Sequence, residues 1–297
     1  MRGGQQAAPF VCLLLTFSPM LRILSLLSLL ALPFAVEAQF LDSDGPVSES
    51  DVLYMSNQPR LALDILETWL ETDSMDYAAL WRAARAAVVI GIDEEGSRKQ
   101  NRWLDPAMGW AERAVALNPS EIDGHYWHGV AAGRRAMNAA PKYATKLADV
   151  VYNDAHTVLA MDSLHGGAHN MLGKLNYEIM NVSRVQRLIA RTFMGNPALD
   201  DTSWENAEYH LALAARSWPD DILFHFDLAQ LYKRRGREEE AVVEYRLVLG
   251  LQPVHPTDYN LQQQASAQLD EWDVPFPILE TKRGREKGPR VDLPKAR

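Results

Sequence analysis

The chain has 297 residues, 47% of them hydrophobic and 23% charged, a balance that can bury a continuous core. Its formal net charge of −9 argues against wholesale nucleic-acid binding. The single cysteine, Cys12, lies close to the N-terminus, which excludes a disulfide framework, a thiolate zinc site and a cysteine nucleophile from the rest of the chain.

Residues 1–38 read as a targeting segment. They hold no acidic residue before Glu37, and an apolar run extends from Ile23 to Val36. Met20 and Arg22 open a self-sufficient secretory signal, with a basic start, the run ILSLLSLLALPF and the small-x-small site Val36-Glu37-Ala38 before Gln39. The expected start is Met20, with cleavage after Ala38 and export to the periplasm or medium. A retained membrane anchor is the rival reading, although the run after Arg22 is short for a spanning helix. Only in that case is membrane contact expected. Cleavage would leave 28 basic and 38 acidic side chains.

From Asp42 to Trp272 apolar residues recur at three- and four-residue spacing, broken by Asn-Pro, Gly and Asp clusters, which predicts an all-α domain over 42–272. Self-similarity to the tetratricopeptide template makes it an α-solenoid of about five helix pairs. The first pair, 46–74, matches the template least well. In the second, Leu80, Ala83 and Ala84 face Ala107, Ala111, Ala114 and Pro119 across a polar insertion from Asp93 to Asn101. The third has His128-Gly129 and then a second helix over 144–161. The fourth has Leu172-Gly173, an insertion at 179–202, then Ala207, Leu211, Ala214 and Pro219. The fifth, 222–255, fits best: Leu228, Ala229 and Tyr232, the turn at Gly236, Ala241 and Tyr245, and the terminating Pro253. Residues 257–272 predict a C-terminal capping helix, and 273–297 a basic disordered tail.

Five segments carry a resemblance to a known family: LWRAARAA at 80–87, GHYWHGV at 124–130, HNMLGKLNYEI at 169–179, RLIARTFMGNP at 187–197 and LAQLYKRRGREEEAV at 228–242. With these the chain resembles the regulator of microtubule dynamics family. The resemblance implies a divergent tetratricopeptide domain, a non-enzymatic adaptor role and, for some relatives, lipid handling.

His125 with His128, and His165 with His169, have the spacing of metal-ligand pairs. His125, His169 and His225 occupy one repeat position that packs between helices, so they read as structural, and no metal or cofactor is expected. There is no phosphate loop, H-E-x-x-H or G-x-S-x-G, and no enzyme is expected. Glu238, Glu239 and Glu240 read as a solvated helix start.

The positions flanking the packed L-G-Y stripe predict a concave groove of Trp81, Arg85, Tyr126, Arg134, Asn170, Lys174, Tyr177, Phe226, Gln230, Lys233 and Arg234, with Glu178 as its lone acid. A basic, aromatic groove suits a protein or peptide partner with acidic or C-terminal carboxylate features. The alternative is a phospholipid or other hydrophobic ligand in the same groove, closed by Val185, Leu188, Ile189 and Phe193 of the insertion.

Overall fold

Turn chemistry punctuates the chain into helices at regular intervals. The computed structural model describes residues 45–183 and 202–274. Its helices are α1 (Pro46–Met55), α2 (Pro59–Thr72), α3 (Tyr77–Asp93), α4 (Ser97–Leu117), α5 (Ile122–Met137), α6 (Pro141–Met161), α7 (Gly166–Asn181), α8 (Trp204–Ser217), α9 (Ile222–Arg234), α10 (Glu238–Gly250) and α11 (Asp258–Glu271). No strand occurs among the described residues. Pro59 and Pro141 open α2 and α6, where a missing N–H costs nothing. Asp76, Ser203 and Asp221 cap α3, α8 and α9 by accepting from Ala79, Asn206 and Leu223 N–H. Gly236, at φ +71°, makes the α9–α10 turn in a conformation that a side chain would strain.

The five pairs α1–α2 to α9–α10 stack in order, and α11 closes the end against α9 and α10. Each first helix also touches the next, from α3 through α5 and α7 to α9, so these four build the inner wall. Small residues permit the close approach. A Cβ on Gly173 would lie 2.6 Å from Leu211 Cγ, so α7 and α8 sit closer than any other residue allows. The core runs along the stack: Leu63, Leu66, Leu80 and Leu104 toward the N-terminus, Leu147, Val158 and Leu172 in the middle, and Leu211, Phe224, Tyr245 and Leu269 toward the C-terminus.

One expected feature is smaller than the sequence suggests. The polar insertion at 93–101 reduces to a three-residue turn, because α4 already begins at Ser97. Gly96 turns the chain at φ +88°, and Gln100 Nε2 donates to the Glu94 carbonyl at 3.0 Å. The targeting segment 1–38, most of the 179–202 insertion and the tail beyond residue 274 lie outside the described residues.

Candidate functional site

Asp227 organises the inner wall. It interrupts the apolar run ILFHFDLAQL of α9, and its side chain is only 6% exposed. A carboxylate there must be matched by charge and hydrogen bonds, and α7 supplies both. Lys174 Nζ donates to Oδ1 at 2.7 Å, and Asn170 Nδ2 donates to Oδ2 at 3.1 Å. Burial alone would push the Lys174 ammonium down, but Asp227, helped by Glu178 at 3.8 Å, holds it above its ordinary value.

The predicted groove residues separate into three groups. The first is committed to the fold. Phe226 is buried, edge-on to Tyr245 with centroids 5.9 Å apart, because the inner stripe of α9 runs one position further along, through Leu223 and Asp227. Arg85 donates to Asp51 of α1 and lies 3.9 Å from the Tyr54 ring centre. Arg82, absent from the predicted set, reaches the same carboxylate and covers Trp81. Tyr177 meets Trp204 edge-on. Lys174 and Asn170 are taken by Asp227.

The second group is held by neutral partners: Lys233 donates to Gln268, and Arg234 Nε donates to Asn181 Oδ1 at 2.7 Å. The third remains available. Gln230 is half-buried, and Arg134 has no hydrogen-bond or ion-pair partner among the described residues. Of the five predicted cations, two are therefore neutralised by carboxylates, and the groove is less basic than its sequence implies.

Tyr126, Arg134, Asn170 and Lys174 do share one site. They line a pocket of about 580 Å³ bounded by α5, α6 and α7 and reaching Leu223 and Asp227 of α9. Its walls are otherwise mostly apolar, chiefly Val130, Met137, Met171, Leu175, Ile179 and Val182, with Thr145 and the Glu178 carboxylate also on the lining. Small residues leave part of this space unfilled: Gly133 and Ala136 of α5 and Ala144 and Ala148 of α6 all lie on its lining. The sequence reading missed this pocket.

The histidines form a repeated staple. His125, His169 and His225 direct Nε2 to the carbonyls of Pro119, Ser163 and Pro219, each six residues earlier, at 3.0–3.1 Å. Nδ1 then meets the second helix of the pair: Asp154 at 2.8 Å, His210 at 2.9 Å and Glu244 at 2.6 Å. His128 shares Asp154, also at 2.8 Å. Burial pulls His225 down, but Glu244 more than restores it and the net shift is upward; His169 and His210, facing each other, are both lowered, His210 to about 4. Among the described residues no group of three metal-ligating side chains could hold an ion.

With this geometry in view, comparison with known proteins decides the family. The family model for regulator of microtubule dynamics proteins 1–3 matches residues 47–273, from the start of α1 to just past α11. The chain belongs to the regulator of microtubule dynamics family. Within that family, regulator of microtubule dynamics protein 1 of Bos taurus is 21% identical over 161 residues, covering 54% of this chain. The chain spans about half the length of that relative, 50%. A tetratricopeptide-repeat protein of Thermus thermophilus superposes with a TM-score of 0.54 at 19% identity, covering 75% of this chain and 97% of its own. The fold is therefore that of a tetratricopeptide α-solenoid. No helix among the described residues is long and apolar enough to cross a membrane.

Proposed function

We propose that this family member is an exported, non-catalytic adaptor that holds a segment of a protein partner along its inner wall. The observation that carries the reading is the apolar pocket of about 580 Å³ on that wall, with the Arg134 guanidinium on its rim. Apolar side chains of the partner gain by leaving water for such walls, while a cation without a carboxylate partner offers a charge-assisted hydrogen bond. Export rests on the signal pattern of residues 20–38, and a mature N-terminus other than Gln39 would remove that part.

Charge reversal tests the groove. Arg134→Glu with Arg234→Glu is expected to weaken binding of the native partner at least tenfold with only a small fall in melting temperature. Neither cation has a carboxylate partner among the described residues, and the loss is limited to the Arg234–Asn181 hydrogen bond and two favourable helix-end charges. Unchanged affinity would remove the groove from the account. The second reading, a carrier of a phospholipid or similar hydrophobic ligand, is favoured by the apolar walls of the same pocket. Its signature would be a stoichiometric lipid extracted from the purified chain.

A further inference from the structure

We infer that the pocket between α5, α6 and α7 receives the end of a partner chain, with an apolar C-terminal side chain inside and its α-carboxylate on Arg134. This rests on the adaptor reading and names the segment that is bound.

Three observations converge on a chain end. The interior is mostly apolar and its neighbouring side chains leave about 580 Å³ unfilled, so it favours an apolar guest over water. The polar groups along its inner side already satisfy one another, because Asp227 is shared by Asn170 and Lys174, and Lys174 also faces Glu178. That leaves a single uncommitted charge at the pocket, Arg134, among the described residues. A guest that matches the site carries one negative charge directly beside an apolar body.

A chain terminus meets this requirement with one residue, whose side chain and carboxylate share a Cα. An internal acidic residue does not, because its carboxylate and the neighbouring apolar side chain belong to successive residues, which point to opposite faces of an extended segment. Met137, 61% exposed, lies on the pocket lining, where its flexible thioether can adapt to differing last residues.

The test uses labelled hexapeptides ending in Leu, Ile or Phe, each as free acid and as C-terminal amide. A third, amidated set carries an internal Glu beside the same apolar residue. Each is titrated against the full chain and against Arg134→Gln, Gly133→Ala and Gly133→Leu. A Cβ on Gly133 meets only Val151 Cγ2, at an ordinary 3.5 Å, so alanine is accommodated while leucine fills the pocket from within. The free acids are expected to bind at least tenfold more tightly than the amides. Arg134→Gln should abolish that difference, Gly133→Leu should abolish binding, and Gly133→Ala should preserve it. Equal affinity of acids and amides overturns the inference, as does binding by none of the peptides. If only the internal-Glu set binds, and Gly133→Leu blocks it, the terminus is wrong while the adaptor reading stands. Binding untouched by Gly133→Leu removes the pocket from both.

Discussion

Replacing Lys174 with Met is expected to destabilise the fold by about 3 kcal/mol, because it strands a buried carboxylate without its counter-charge. Asp227 is 6% exposed, and among the described residues its two oxygens are served by Lys174 and Asn170. With the ammonium gone, one amide remains to solvate a full negative charge between α7 and α9. The double variant Lys174→Met, Asp227→Leu should recover part of the loss, since an apolar pair needs no counter-charge while the buried Asn170 amide loses its acceptor. Denaturant titration of the three proteins reads both effects. A loss below about 1 kcal/mol in the single variant would mean that the pair behaves as a solvated surface bridge. Lys174 would then return to the groove as a free cation.

Acidification should loosen the α7–α8 joint. His169 uses Nε2–H on the Ser163 carbonyl, so its Nδ1 accepts from His210 Nδ1–H, and the pair is held neutral. Burial pulls His210 from 6.5 to about 4, with His169 and His156 adding repulsion once charged. Between those values the unfolded chain holds a proton that the folded chain refuses, so stability falls as pH drops from about 6.5 toward 4. The shift corresponds to about 3 kcal/mol at its full extent. His210→Gln keeps an amide donor for His169 but does not titrate. Its melting temperature should therefore fall less than the wild type's over that range, by roughly 5–10 °C. His225 works in the opposite sense: its raised pKa lends stability at low pH that is lost as pH rises through the folded value. Parallel curves for wild type and His210→Gln would show that the histidine pair is solvated.

The solenoid was legible in the sequence because each helix pair repeats the same steric solution. Ala83, Ala229 and Ala241 mark close approaches, Gly236 a turn no other residue adopts freely, and Pro119, Pro219 and Pro253 the exits from second helices. The groove was legible only in part. Positions flanking a template stripe are uncertain by one residue, which brought in Phe226 and passed over Asp227. The lone acid inside ILFHFDLAQL was the available clue, since a carboxylate in an apolar run needs a buried partner. The link from Arg85 to Asp51 spans 34 residues and comes from α1, the helix with the poorest match to the repeat, so nothing local announced it. The pocket was hidden for a different reason. Gly133, Ala144 and Ala148 look like close-packing residues in the sequence, and only the fold shows that they border an unfilled pocket.

The claim that a partner lies on the inner wall is tested most directly by site-specific photo-cross-linking. A photoreactive residue replaces Gln230, half-buried on α9 beside Asp227, or Val243, 44% exposed on α10, a second helix outside the inner wall. The account predicts partner cross-links from position 230 and none from 243. Cross-links from 243 alone would place the partner on the opposite face and contradict it.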